Sequence, residues 1–123
     1  MMSAHLPAIL LVIGLYTAFA LPQVFAPKLF LAKVTFGAQS NDPLTLLLAR
    51  HWALLAALVG ALLIYAAYHP EVRAPAMLLA AVEKFALAAF IFFGGWARTA
   101  TATRTAVVDA AMGVVLVLGL AGL

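Results

Sequence analysis

Cysteine and charged side chains are the two things that this 123-residue sequence lacks. It contains no cysteine, which excludes a disulfide scaffold, a thiolate zinc site, an iron–sulfur cluster and catalysis by a thiol. Only 9% of its residues are charged and 67% are hydrophobic. A soluble domain has about 25% charged residues. A soluble domain of this size could not bury so much apolar surface, and a disordered chain would be far more polar. The composition therefore predicts an integral membrane protein.

The net charge of +3 does not indicate a nucleic-acid-binding protein. The basic residues are scattered, without the clusters and interleaved aromatic side chains that follow a phosphate backbone. We therefore expect no nucleic-acid partner. In a membrane protein, lysine and arginine instead predict which loops face the cytoplasm.

Four hydrophobic segments are long enough to cross a membrane, for which about 20 apolar residues are needed. They cover approximately residues 6–25, 44–68, 74–96 and 105–123. Ala18-Phe19-Ala20 resembles a signal-peptide cleavage site, but no lysine or arginine precedes Lys28, as a signal peptide would require. We therefore predict an all-α fold, in which residues 1–123 form a single transmembrane domain built as a four-helix bundle.

The three connections differ in character. Residues 26–43 mix apolar and basic side chains, which predicts a short segment in the membrane interface, with its apolar side in the lipid. Gly37 and the turn at residues 40–43 should end that segment and begin the second helix. Residues 69–73 predict a tight hairpin, and residues 97–104 predict a polar loop.

The basic residues predict an orientation for the bundle. The first and third connections contain four basic residues, Lys28, Lys33, Arg98 and Arg104. The opposite side contains only Arg73. This bias places both connections in the cytoplasm and both termini on the non-cytoplasmic side. Trp52 and Trp96 near the cytoplasmic helix ends agree with it. We expect an integral protein of a bacterial inner membrane.

Five ionisable residues lie inside the hydrophobic segments: Arg50, His51, Glu83, Lys84 and Asp109. A charge near the bilayer centre costs between about 2.5 and 10 kcal/mol or more, so such residues should face the bundle interior and pair. Arg50 and Asp109 enter from the same side to similar depth, and we expect them to pair. Glu83 and Lys84 point about 100° apart on a helix, so we do not expect them to pair with each other. Glu83 is then free to meet Arg50 or His51.

The number of these groups exceeds what the alignment of helices requires. Small residues in Ala56-x-x-x-Gly60 and Asp109-x-x-x-Gly113 already permit close helix approach. The five residues therefore predict a ligand-binding or proton-exchange cluster, and a purely structural ion network is the alternative.

Tyr16 and Gln23 predict the inward face of the first helix. They are seven residues apart and therefore share a side of a regular helix, where polar groups commonly form interhelical hydrogen bonds. His51 and the scattered carboxylates lack metal-ligand spacing, and two histidines at matching depth for a haem are missing. We therefore expect no metal and no cofactor, and we assign no catalytic residue.

Several short motifs resemble those of the DoxX-like family of small four-helix membrane proteins. They are residues 50–55 (RHWALL) followed by 58–63 (LVGALL), FAPK at 25–28, Glu83-Lys84 in the third helix and Asp109 in the fourth. The resemblance implies a compact membrane bundle. Some members of the broader group are associated with quinone-linked oxidation of sulfur compounds, although the lack of cysteine argues against covalent sulfur transfer here.

These observations lead to one principal hypothesis. A quinone, isoprenoid or lipid would lie between the helices, with Arg50 and Lys84 holding its carbonyl or anionic oxygens while Glu83 and His51 exchange protons. Its partner would thus be a membrane lipid or hydrophobic small molecule, and a homo-oligomer or a membrane-protein partner is compatible with the sequence.

Two alternatives remain open. The first is a proton-coupled transporter acting as a dimer, although the small multidrug transporters carry their carboxylate in the first helix, where this sequence has none. The second is an accessory subunit of a larger membrane complex. A nucleophile–base pair, a phosphate loop and an extramembrane domain are all missing from the sequence, which does not predict an enzyme for soluble substrates.

Overall fold

The computed structural model describes residues 2–95 and 99–122. These contain helices α1 (Leu6–Ala18), α2 (Pro22–Phe25), α3 (Pro27–Phe30), α4 (Pro43–Tyr68), α5 (Arg73–Phe93) and α6 (Ala100–Leu120). A π-helical segment, Leu31–Thr35, follows α3, and 3₁₀ turns cover Met2–His5 and Pro70–Val72. No strand occurs in these described residues, and the predicted all-α fold is confirmed.

Four stretches of the fold are long and apolar enough to cross a membrane: Leu6–Phe25, Pro43–Tyr68, Pro70–Phe93 and Ala100–Leu120. The first consists of α1 and α2. The helical ladder is interrupted between them because Pro22 has no N–H to donate. Tighter bonds hold the joint, from Leu21 N to Ala18 O at 3.0 Å and from Gln23 N to Ala20 O at 3.0 Å. The four spans support the predicted integral membrane protein, whereas the type of membrane and the side of each terminus stay predictions.

The last helix begins earlier than the sequence suggested. The prediction of a polar loop over residues 97–104 is wrong from Ala100 onwards, because Thr99 caps α6. Its side chain accepts a hydrogen bond from Ala102 N at 3.0 Å, and its carbonyl accepts one from Thr103 Oγ1 at 2.9 Å. α5 ends at Phe93. Trp96 and Arg98, on which parts of the predicted helix end and orientation rest, lie outside the described residues.

The connection between α2 and α4 is helical and folds against the end of the bundle. Leu31 and Thr35 are buried, and the ring of Phe36 packs edge-on against Trp52 with 5.2 Å between ring centroids. Gly37 then turns the chain with φ of 69°, a conformation that glycine adopts without strain. Side chains of this segment therefore pack against the bundle and do not all face lipid. The location of the segment in the membrane interface stays a prediction.

Two polar side chains fix the ends of α4. At its start, Asp42 accepts hydrogen bonds from Thr45 N at 3.0 Å and Thr45 Oγ1 at 2.8 Å. These bonds, the amide first, hold the pKa of the Asp42 carboxyl below its usual range. At its end, Arg73 donates to the carbonyls of Ala66 at 2.8 Å and Ala67 at 2.7 Å. The turn before α4 and the hairpin after it are therefore formed as the sequence predicts.

Small residues set the distances between helices. α1 packs chiefly on α4 and α5 on α6, while α4 and α5 join the two pairs. A Cβ atom on Gly60 would lie 2.5 Å from Ala18 N and 2.6 Å from Gly14 O, so the backbones of α1 and α4 touch there. On the other side, Gly113 leaves room for the ring of Phe85, whose Cζ would lie 2.8 Å from an added Cβ. Gly60 thus permits the close helix approach that its motif predicts, whereas Gly113 makes room for a side chain of α5.

Candidate functional site

A buried lysine lies at the centre of the bundle. Lys84 of α5 is 1% exposed, and its Nζ donates a hydrogen bond to Thr17 Oγ1 of α1 at 2.8 Å. The same Nζ lies 3.6 Å from Oδ1 of Asp109, which is buried on α6. One ammonium group thus links three helices, and its charge is compensated inside the apolar bundle, as a membrane requires.

Glu83 completes this charged cluster. Its Oε1 lies 4.0 Å from Lys84 Nζ, within ion-pair range but too far for a hydrogen bond. The expectation that Glu83 and Lys84 do not pair with each other is therefore wrong. The angle of about 100° between neighbouring residues separates their Cβ atoms, but the long lysine side chain can bend back toward the carboxylate.

The cluster retains unused capacity to accept hydrogen bonds. Glu83 Oε1 is buried and has no hydrogen-bond partner among the described residues. The hydroxyl of Thr17 donates its proton to Ile13 O at 2.7 Å and therefore has no proton left for another acceptor. With both carboxyls ionised, the cluster of Glu83, Lys84 and Asp109 has a net charge of −1. In that state the free oxygens of Glu83 can only accept hydrogen bonds.

A cavity of about 410 Å³ opens beside the cluster. Its walls come from all four spans and from the π-helical segment. Most of the wall surface is apolar, although half of the lining residues are polar or charged. The lining residues are Tyr16, Thr17, Phe19, Ala20, Val34, Thr35, Trp52, Ala56, Glu83, Lys84, Arg104, Thr105, Val108 and Asp109. We call this cavity the central pocket. Its size falls within the range of about 300–1,000 Å³ that small-molecule sites have, and a mostly apolar lining with a few converging polar groups is typical of them.

The π-helical segment is held over one side of the central pocket by α6. Arg104 donates to Val34 O at 2.9 Å, and Thr105 Oγ1 donates to Thr35 O at 2.5 Å. Thr99 Oγ1 donates to Phe36 O just beyond the segment. Sequence reasoning placed Arg104 in a loop and Thr105 at the start of the fourth helix, and it missed both as pocket residues. The threonine-rich run at 99–105 was the available signal.

Gln23 anchors the other side of that segment. It is fully buried, donates from Nε2 to Ala49 O at 2.9 Å and accepts from Thr35 Oγ1 at 2.7 Å. Its predicted companion Tyr16 is 51% exposed and forms part of the pocket wall. The two do not share one buried face because the joint before Pro22 changes the helical phase. Thr17, next to Tyr16, occupies the buried position instead.

Arg50 and His51 do not join the cluster. Both are exposed, because the inward face of α4 is formed by small residues such as Ala49 and Ala53. The predicted pair of Arg50 and Asp109 is not formed, since Asp109 faces Lys84. Equal depth along two helices does not determine the direction in which the side chains point. The structure thus brings together three of the five predicted residues and places the other two elsewhere.

Arg50 and His51 line a separate groove of about 550 Å³ on the outside of the bundle. We call it the outer groove, and its other lining residues are apolar: Val24, Pro43, Leu46, Leu47 and Leu54. Within residues 2–95 and 99–122, no group of three His, Asp or Glu side chains could hold a metal ion.

The fold and the pocket define a small integral membrane protein whose four spans enclose a charged cluster. Comparison with protein families matches residues 6–118 to the family described as Erg28 like protein. Because the match covers most of the chain, this protein belongs to the Erg28-like family. Comparisons with curated proteins and with solved structures found no match.

The assignment corrects the resemblance to the DoxX-like family, which is wrong. The motifs that carried it are short and mostly apolar. Membrane helices of unrelated families draw on the same few apolar residues, so such motifs recur in them. The quinone chemistry that the resemblance implied has no support from the family match.

Proposed function

We propose that this Erg28-like protein binds an amphiphilic small molecule in the central pocket, with the polar head of the ligand at Glu83. The observation that carries the proposal is the buried Glu83 Oε1, which lacks a hydrogen-bond partner among the described residues beside a cavity of about 410 Å³. An unsatisfied buried acceptor is costly, and a ligand that donates a hydrogen bond to it would recover that cost. Rotation about the last side-chain torsion exchanges the two carboxyl oxygens easily, so a ligand can use either.

The cluster favours a head group that donates hydrogen bonds. Lys84 is 1% exposed and is surrounded by Thr17, Asp109 and Glu83, so it is not available to hold a carbonyl or an anion. Glu83, whose side chain is 22% exposed, is the most accessible charged group of the cluster, and exposed Arg104 is a second charged group of the pocket wall. At Glu83, a hydroxyl or amine head therefore fits better than the carbonyl of a quinone. This changes the role first expected for Lys84 from ligand contact to support of the acceptor.

An apolar groove offers a place for the tail of the ligand. The groove has a volume of about 370 Å³, lies between α1 and α6 and has no polar lining: Ala8, Ile9, Val12, Ile13, Ala111, Met112 and Val115. It begins one turn beyond the residues that α1 and α6 contribute to the central pocket. An isoprenoid or lipid chain that leaves the pocket between these helices would remain in apolar surroundings, whereas its head would face the cluster.

The test is recovery of a bound amphiphile with the purified protein. Protein extracted in mild detergent is analysed by solvent extraction and mass spectrometry for wild type, Glu83→Leu and Glu71→Leu. Glu71 lies exposed in the 70–72 turn and is the matched control. Glu83→Leu should fold, since Lys84 keeps Asp109 as its counterion, and it should lose the amphiphile that wild type and Glu71→Leu retain. Absence of an amphiphile from wild type, or equal retention by a folded Glu83→Leu, would contradict the proposal.

A purely structural cluster in an accessory subunit is the second candidate. It is supported by the contacts of Lys84, which connect α1, α5 and α6 by themselves. This alternative predicts no bound amphiphile and a membrane-protein partner that co-purifies in fixed ratio, and loss of that partner in Lys84→Met. Proton-coupled transport remains a prediction of the sequence that no single contact in the structure favours.

A further inference from the structure

Arg50 presents an exposed cation on a membrane-spanning helix. It lies seven residues into α4, and no carboxylate comes within 4.0 Å of it among residues 2–95 and 99–122. An unpaired charge on the lipid-facing side of a span is costly unless a counterion or water meets it. The internal acids do not serve, because Asp109 and Glu83 lie with Lys84. Any counterion of Arg50 must therefore come from outside the bundle.

The position of Arg50 along α4 allows it to reach the level of lipid head groups. α4 contains 26 residues. At 1.5 Å per residue this is about 39 Å, against a hydrocarbon core of about 30 Å. A centred helix extends about 4.5 Å beyond the core at each end, so Arg50 begins about 6 Å below its edge. From that depth a long arginine side chain extends along the helix to the interface.

Apolar side chains flank Arg50 on both sides along α4, with Leu46 and Leu47 toward the start of the helix and Leu54 about one turn deeper. Leu46, Leu47 and Leu54 lie on the same stripe of α4 as Arg50, and Val24 of α2 forms the opposite wall of the outer groove. His51 adds a second polar group next to Arg50. The groove therefore combines a cation with apolar neighbours, which suits the charged head and the apolar chain of a phospholipid.

The charge of this end of the molecule selects an anionic lipid. The connection before α4 and the start of α6 contribute Lys28, Lys33 and Arg104 at the same end, whereas Asp42 is the only acidic residue in the described part of that end. A phosphate accepts the two parallel N–H bonds that a guanidinium offers. We propose that the outer groove binds one anionic phospholipid, with its phosphate on the Arg50 guanidinium, which extends toward the start of α4, and an acyl chain that runs inward along Leu54. This site is separate from the central pocket and does not depend on its ligand.

The experiment is a titration of delipidated protein followed by native mass spectrometry. Phosphatidylglycerol and phosphatidylcholine with identical acyl chains are compared for wild type, Arg50→Gln and Lys28→Gln. Lys28→Gln removes the same charge from the same end but outside the groove. We expect wild type and Lys28→Gln to retain one phosphatidylglycerol with at least fivefold preference over phosphatidylcholine, and Arg50→Gln to lose that preference.

Other outcomes would overturn the proposal. Equal binding of the two lipids by wild type would show that no anionic site exists. An equal loss in Lys28→Gln and Arg50→Gln would show diffuse attraction to the basic end instead of a groove. Inorganic phosphate at tenfold excess over the lipid should not displace it, because the acyl chain contributes to binding. Displacement by phosphate would mean that the groove selects only the anion. Circular dichroism of each variant confirms that the helices remain folded.

Discussion

Replacing Lys84 by methionine removes the only cation of the buried cluster while keeping a side chain of similar length. Lys84 is 1% exposed, and its Nζ lies 3.6 Å from Asp109 Oδ1 and 4.0 Å from Glu83 Oε1. Without it, two carboxyls remain in the bundle with no compensating charge. Breaking a buried ion pair by removing one partner costs about 3–5 kcal/mol. Since methionine fills nearly the same volume, cavity effects are small, and we expect the free energy of unfolding to fall by about 3–5 kcal/mol.

The assay is reversible unfolding of the purified protein in mixed micelles, titrated with sodium dodecyl sulfate and followed by circular dichroism. Lys28→Met changes an exposed lysine of α3 and should alter the free energy of unfolding by less than about 0.5 kcal/mol. The triple variant Lys84→Met, Glu83→Gln, Asp109→Asn removes every charge of the cluster. It should recover most of the loss, because neutral groups replace a buried ion network at little cost. A loss below about 1 kcal/mol for Lys84→Met, or no recovery in the triple variant, would refute this reasoning.

Three other predictions concern packing and caps. Gly60→Ala should destabilise the protein by about 1–3 kcal/mol, because its Cβ would lie 2.5 Å from the backbone of α1, whereas exposed Ala61→Leu should change little in the same unfolding assay. Asp42→Asn keeps the α4 cap. The pKa of the Asp42 carboxyl is lowered, so the stabilisation from this cap is complete above the usual aspartate pKa and is lost as the pH falls through the lowered pKa. The contribution of the charged cap to the melting temperature should therefore fall below about pH 4 in wild type but not in Asp42→Asn. Parallel melting-temperature profiles of the two proteins would contradict this. Gln23→Leu should cost about 1–3 kcal/mol and increase hydrogen exchange around Thr35; unchanged exchange would contradict it.

The fold was predictable because hydropathy and length decide it. A span needs about 20 apolar residues, and the sequence contains four such runs. Helix ends were less predictable. The start of α6 at Ala100 depends on the cap by Thr99, and the break before Pro22 depends on local hydrogen bonds. Such details depend on single side chains, and hydropathy averaged over many residues does not reveal them.

The candidate site was only partly predictable, for a geometric reason. The cost of charge in a membrane indicates that Glu83, Lys84 and Asp109 lie inside, and the structure brings them together. The same argument placed Arg50 and His51 with them. Depth along a helix follows from residue number, but the direction of a side chain depends on which face packs inward. The inward face of α4 consists of alanine and glycine together with Leu63, and the polar residues Arg50 and His51 beside it point outward.

Binding of a matched pair of amphiphiles tests the central claim most directly. Dodecanol and its methyl ether differ only in the hydroxyl proton that Glu83 would accept. We expect wild type to bind dodecanol about tenfold more tightly, since a hydrogen bond to a charged group contributes about 1.5–3 kcal/mol and 1.4 kcal/mol is a factor of ten. Isothermal titration calorimetry measures both dissociation constants, and Glu83→Leu should bind the two compounds equally. Equal affinities in wild type, or the same preference in a folded Glu83→Leu, would contradict a central pocket that receives its ligand at Glu83.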